Sequence, residues 1–420
     1  MTGRAKGRFQ IRAPSAALPI RRNTFLLAAC LTCLSGMVQL VVAVSTITLV
    51  LVTGVESILG LGPAIFLASG ALAALPAGRA MDRVGRVPVL AAGFCSGAAG
   101  CSLAAAGCGW DSSLLVIAGF VLVGASSGTV LLARAAAADL YPPERRARGI
   151  SLVLFGALFG AALGPLVFRP LFAGKELELD ALVVPYLAAG AIMLVGLALV
   201  LAIRPDPKEI ALRIAAERSP EPEGPAAPLA EILRRPTVPA ALLAAIASFA
   251  VMVGIMNLTG YVVVGHGHHQ ADVFSVISAH IVGMYALVLV IGSLIDGVGR
   301  RPALVGGLAI MAASTIGLVW FESVLWTSVA LFGLGLGWNV SYVAASTELA
   351  DAVRPAERGR LIGFTDLLSG GTGAVLALIG GIVYSEIGVA ALAIGATVIA
   401  IVPALWIVGR RPPAPALQRA

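Results

Sequence analysis

Charged residues are scarce: they make up 12% of the 420 residues, about half the roughly 25% of an ordinary soluble domain. A soluble globular enzyme is excluded on that ground. Five cysteines in a chain of this length do not make a disulfide-stapled scaffold. Polar low-complexity tracts are lacking, so the chain is not a disordered one. The apolar runs are continuous rather than alternating, which excludes an outer-membrane barrel. No phosphate-binding loop, no Ser-His-Asp set and no second histidine cluster occurs. The sequence therefore reads neither as an enzyme nor as an ATP-driven pump.

What is present is apolar. Hydrophobic residues account for 59%, the mean hydropathy is +0.96, and 49 glycines and 24 prolines lie within the apolar material. Membrane helices tolerate that mixture where soluble helices do not. A span needs about 20 apolar residues, and the sequence offers twelve such runs. They fall near 24–50, 57–78, 88–108, 113–138, 149–171 and 181–203, then 237–262, 272–295, 303–321, 324–349, 360–384 and 387–408. The expected fold class is an all-α membrane protein of twelve transmembrane helices in two six-helix pseudo-repeats. Its parts are a basic tail (1–23), a first half (24–203), a linker (204–236), a second half (237–408) and a tail (409–420).

The net charge of +7 sits in short segments between spans. That pattern describes orientation in a bilayer and gives no reason to expect nucleic acid. Of 29 Lys and Arg, 26 lie in tails and loops on one side of this layout; Arg169 and Lys175 fall on the other, and Arg134 lies within the fourth span. The positive-inside rule makes both termini and the linker cytoplasmic, in a multi-pass protein of the cell (inner) membrane. Residues 1–23 lack the short apolar core and cleavage site of a leader, so they are expected to remain as a tail.

The halves repeat. Gly78-Arg-Ala-Met-Asp82-Arg83-Val-Gly85-Arg86-Val-Pro88 recurs, displaced by 214 residues, as Gly292-Ser-Leu-Ile-Asp296-Gly-Val-Gly299-Arg300-Arg301-Pro302. Asp139, Arg146 and Arg148 recur as Asp351, Arg358 and Arg360, displaced by 212. Parallel halves of this kind build transporters that rock around a midplane site. The G-x-x-x-D-R-x-G-R loop resembles the signature loop of the major facilitator superfamily, over the whole chain. A carboxylate at a helix end beside arginines suits a latch that breaks when the halves rock. The plainer role of such a loop is positive-inside anchoring. The fifth span carries Gly156, Gly160 and Gly164-Pro165, at spacings that permit close helix approach. This is similar to the glycine-proline motif of antiporter branches, but Leu166, Val167 and Phe168 follow where a glycine pair would stand.

All four histidines lie between 266 and 280. His266, His268 and His269 occupy the outer turn after the seventh span, where they could capture an ion. His280 and Met284 in the eighth span, and Met252 and Met256 in the seventh, are i, i+4 pairs on one helix face. Counted from the turn, the two pairs lie roughly 10–20 Å below the outer surface, using about 1.5 Å per residue. Thioether and imidazole together select Cu(I); methionine pairs also serve as packing, whereas a histidine inside a span marks function. MxxxM followed by HxxxM, with 24 residues from Met256 to His280, resembles the CcoA-type copper importers of bacteria. The resemblance implies Cu(I) as substrate rather than resident cofactor, a ligand path of Met252, Met256, His280 and Met284, and delivery to cytoplasmic copper acceptors. The same branch holds riboflavin carriers, so a small organic solute remains the alternative, moved by a riboflavin-like importer or a proton-coupled drug exporter. In that reading Trp338 and Tyr342 line the cavity, and Asp366 carries a coupling proton or else partners a basic loop residue.

Cys30-x-x-Cys33 in the first span could relay soft copper inward, though apolar filler is the commoner role of membrane cysteines. Cys95, Cys101 and Cys108 belong to the third span. Gln39, Arg134, Asn257, Asn339 and Glu348 complete the polar residues within spans. Arg134 stands near Asp139, which suggests gating or anchoring.

Overall fold

The computed structural model describes residues 19–54, 61–161, 179–218, 226–265, 267–268, 270–320 and 322–410. Among the described residues every regular element is helical. The first half contributes α1 (Ile20–Thr53), α2 (Leu61–Val84), α3 (Arg86–Gly109), α4 (Ser113–Val130), α5 (Ala133–Asp139), α6 (Arg146–Leu154) and α7 (Leu179–Leu201). The connecting stretch holds α8 (Pro207–Arg218) and α9 (Leu229–Ile232). The second half contributes α10 (Val238–Gly265), α11 (Gln270–Tyr285), α12 (Val288–Val298) and α13 (Arg300–Gly317). It ends with α14 (Val324–Asp351), α15 (Pro355–Glu386) and α16 (Val389–Gly409). Among the described residues eight helices are long and apolar enough to cross a membrane, nine if bent α11 and α12 count as one. Prolines inside α2, α7 and α16 (Pro76, Pro185, Pro403) do not end them, as expected where neighbouring helices satisfy the freed backbone.

The helices reach further than hydropathy suggests at the arginine-rich end. Asp82 belongs to α2 and Arg86 opens α3, so the expected signature loop shrinks to one residue, Gly85 at φ +105°. Its repeat, Gly299 between α12 and α13, has φ +98°. Only glycine takes that backbone cheaply, and each lets one helix follow another with no polar loop between them.

Three spans read as single helices are interrupted. The fourth turns at Leu131–Leu132 between α4 and α5, and the fifth at Phe155 between α6 and a helical stretch over 156–161. The eighth bends by 44° between α11 and α12. None of the three joints holds a proline. At two of them a side chain takes a carbonyl of the broken ladder, which is a recognised cause of kinks. Arg134 Nη1 donates to Leu131 O at 3.2 Å, and Asn339 Nδ2 donates to Met284 O at 2.6 Å.

Small residues set the closest helix contacts. Gly78 of α2 lies against Gly359 of α15, where an added Cβ would overlap a carbonyl. Gly156 and Gly160 lie against Ala28 and Thr32 of α1 in the same way, and Thr32 Oγ1 donates to Gly156 O at 2.7 Å. In the fifth span's motif, Gly156 and Gly160 therefore serve close approach to α1. Gly164 and Pro165 lie outside the described residues.

Candidate functional site

At the arginine-rich end, the halves are joined by carboxylates that accept from the facing half. Asp82 of α2 accepts the amides of Gly359 (2.8 Å) and Arg360 (2.6 Å) near the start of α15. Its repeat, Asp296 of α12, accepts the amides of Ala147 (3.3 Å) and Arg148 (3.0 Å) in the first turn of α6. The arginines follow the same two-fold logic. Arg86 bonds Asp82 (3.0 Å), Asp139 (2.7 Å) and the Pro355 carbonyl (2.7 Å), while Arg358 reaches the other oxygen of Asp139. Arg300 bonds Asp296 and Asp351, each at 3.2 Å, and the Pro143 carbonyl, while Arg146 reaches the other oxygen of Asp351.

Each cluster thus holds two carboxylates and two guanidiniums and is electrically neutral. Neutrality matters because Arg86, Asp139 and Arg358 are almost fully buried, and an unpaired charge there would carry a desolvation cost of several kcal/mol. Gly78, Asp82, Arg86, Gly292, Asp296 and Arg300 therefore all lie at contacts between the two halves. Arg83 is exposed, and Arg301 donates to carbonyls at the end of α16, including Ile407 O at 2.6 Å.

The connecting stretch contributes residues that the sequence did not signal. Asp206 accepts the amides of Arg86 (3.1 Å) and Val87 (2.9 Å), which open α3 and lack helical partners. Lys208 Nζ donates to the Asp82 and Arg83 carbonyls at the end of α2 (2.5 and 3.2 Å). Glu357 of α15 accepts from Arg235 and from the Ala227 amide, both at 2.9 Å. A capping carboxylate more than a hundred residues from its helix leaves no local sequence pattern.

Deeper in the bundle, Arg134 and Asp366 form an ion pair between α5 and α15. Arg134 also lies over the Tyr342 ring, 5.0 Å from its centroid. Tyr342 stacks on Trp338 (4.7 Å, 16°), and Tyr285 meets Trp338 edge-on at 6.4 Å. Arg134 thus pairs with Asp366 rather than with Asp139, and the partner of Asp366 is an arginine of α5 rather than a loop residue. Arg134 Nε, Trp338 Nε1, Tyr342 Oη and Asp366 Oδ2 are buried with no hydrogen-bond partner. A small cavity reaches Asp366 and is lined also by Phe66, Gly70, Ser127, Leu131 and Phe249. Tyr285 was missed because a single aromatic residue in an apolar span carries no periodic signal.

The soft-ligand candidates divide between helices. His280 is buried on α11 with Nδ1 bonded to Leu331 O of α14 (3.0 Å), and its Nε2 has no partner. Met284 lies against Gly335 of α14. Met252 and Met256 are half-buried on α10. Among the described residues no three His, Cys, Asp or Glu side chains converge. His268 Nε2 bonds the Glu322 carbonyl; His266 and His269 lie outside the described residues, as does the side chain of Asn257. Cys30 and Cys33 are buried free thiols, and Cys30 Sγ points to Gly196 O of α7 at 3.8 Å.

Comparison with known proteins places this geometry. The sequence model of the Major Facilitator Superfamily matches residues 24–274 and 263–420. The chain is 32% identical over 338 residues to the uncharacterized MFS-type transporter YdeG of Bacillus subtilis (strain 168), covering 79% of this chain and 78% of YdeG. It is 31% identical over 321 residues to the riboflavin transporter RfnT of Brucella anthropi, covering 74% and 76%. Among solved structures, the proton:xylose symporter XylE superposes with a TM-score of 0.77 at 14% identity, covering 94% and 96%. The human organic anion transporter MFSD10 gives 0.74 at 18%, covering 93% and 100%.

Proposed function

The chain belongs to the major facilitator superfamily as a multi-pass secondary transporter, and from that premise we propose that its substrate is a small planar organic solute. The carrying observation is the group of unpartnered polar atoms on Arg134, Trp338, Tyr342 and Asp366. Buried polar atoms without partners are costly, and a solute with donors and acceptors along one flat edge would satisfy them. The stacked pair Trp338 and Tyr342 supplies a face on which such a ring system stacks in turn. A riboflavin-like molecule has this chemistry, and the similarity to RfnT supports the same class.

In this reading the solute enters while the arginine-rich, cytoplasmic end is closed by the two neutral clusters. Asp366 takes up a proton when Arg134 turns to the solute, and the clusters part as the halves rock. The protein sits in the inner membrane with both termini in the cytoplasm, as the distribution of basic residues supports.

A second reading is favoured by His280, whose buried Nε2 has no partner one turn from Met284. Cu(I) would pass Met252, Met256, His280 and Met284 after capture at His266, His268 and His269, and leave by Cys30 and Cys33 to cytoplasmic acceptors. Uptake of labelled riboflavin and of labelled copper, in cells lacking their own importers, separates the two. Riboflavin uptake lost in Trp338→Ala but kept in His280→Ala supports the organic solute. Copper uptake lost in His280→Ala, with no riboflavin uptake in the parent, overturns it in favour of copper.

A further inference from the structure

The joint in the eighth span is held from outside that span. Breaking a helix frees the last carbonyls of its first piece, and Asn339 of α14 takes one of them, Met284 O, at 2.6 Å. Asn339 is fully buried, and its Oδ1 has no partner. The two sides of the joint face different tasks. On one side Tyr285 meets Trp338, the sequence neighbour of Asn339. On the other, α12 runs to the gate, where Gly292 lies against Ser151 and Asp296 accepts the amides of Ala147 and Arg148.

The lever is short and its arithmetic is favourable. Asp296 lies about 12 Å along α12 from its first residue, at about 1.5 Å per residue. A change of about 10° at the joint therefore moves Asp296 by about 2 Å. Its two hydrogen bonds, at 3.0 and 3.3 Å, do not survive a displacement of that size.

We propose that Asn339 is a positioning residue: its side-chain amide fixes the bend of the eighth span and thereby sets the engagement of the Asp296 latch. The proposal rests on the reading of the arginine-rich end as a gate, and it is independent of which solute is carried.

The test reads the gate without any solute. In purified protein whose five native cysteines are replaced by alanine, Ser151→Cys places a thiol beneath Gly292. The rate of maleimide labelling then reports opening. Asn339→Ala is expected to label at least about threefold faster than its Asn339 parent, at equal monodispersity in detergent. Where the alanine variant inserts poorly, Asn339→Ser, with a shorter donor, is held to the same outcome. Combined with Asp296→Asn, Asn339→Ala is expected to add nothing further, because both act on one contact. Such non-additivity between distant sites marks coupling. An unchanged labelling rate in a well-folded Asn339 variant, or effects that multiply in the double variant, overturns the proposal. Neither outcome bears on riboflavin or copper uptake.

Discussion

The guanidinium of Arg134 reaches from α5 to the carboxylate of Asp366 on α15, and the two are 232 residues apart in sequence. Both are largely buried, with side-chain exposures of 2% and 10%. Removing one partner strands the other, a loss of about 3–5 kcal/mol in comparable buried pairs. Arg134→Ala is thus expected to lower the melting temperature in detergent and to abolish uptake. Arg134→Gln with Asp366→Asn restores much of the thermal stability and no transport. A double variant that transports normally would make the pair purely structural.

The two gate clusters are expected to respond unequally. Asp139 is fully buried between Arg86 and Arg358, whereas the Asp351 side chain is 23% exposed. Asp139→Asn leaves two buried guanidiniums with one carboxylate and destabilises the closed gate by about 3–5 kcal/mol. Asp351→Asn is partly rescued by water and costs less. Melting temperature in detergent ranks the two variants, with Asp139→Asn the lower; equal melting temperatures contradict the burial argument.

Close approach of α2 and α15 sets a third test. A Cβ at Gly78 overlaps the Gly359 carbonyl, whereas one at Gly395 meets nothing within 4 Å. Gly78→Val is therefore expected to keep the gate from closing and to stop transport, while Gly395→Ala leaves uptake unchanged. Uptake of the Gly78 variant at the parental rate would refute the tight packing.

For the copper reading, His266, His268 and His269 are expected to matter only when copper is scarce. They would concentrate the ion without forming its obligatory route. The triple alanine variant then loses copper uptake at low concentration and regains it at high concentration. His280→Ala does not recover, since its imidazole lies on the path. Uptake measured against free copper for both variants distinguishes capture from translocation.

Orientation is tested by reporter fusions. A fusion in the linker 204–236 and one at the C-terminus are expected to read cytoplasmic, and one near His268 external. A cytoplasmic signal at His268 reverses the layout.

The sequence by itself determined the fold class and the repeat. Continuous apolar runs can satisfy their backbone in lipid only as helices, and the 214-residue displacement of Asp82, Gly85 and Arg86 onto Asp296, Gly299 and Arg300 is a property of the chain alone. The recurrence of Asp, Gly and Arg at fixed offsets in both halves is also what carries the latch reading of those residues. Which charges meet was decided by tertiary structure. Asp139 lies nearest Arg146 and Arg148 in sequence among the gate residues, yet it pairs with Arg86 and Arg358. Arg134 turns from the gate to Asp366, and the bend of the eighth span is fixed by Asn339 on another helix. Hydropathy and spacing describe each helix relative to the membrane. The partner of a buried polar group depends on which helices pack together and at what rotation, and that is set by small-residue contacts such as Gly78 on Gly359, made between segments far apart in the chain.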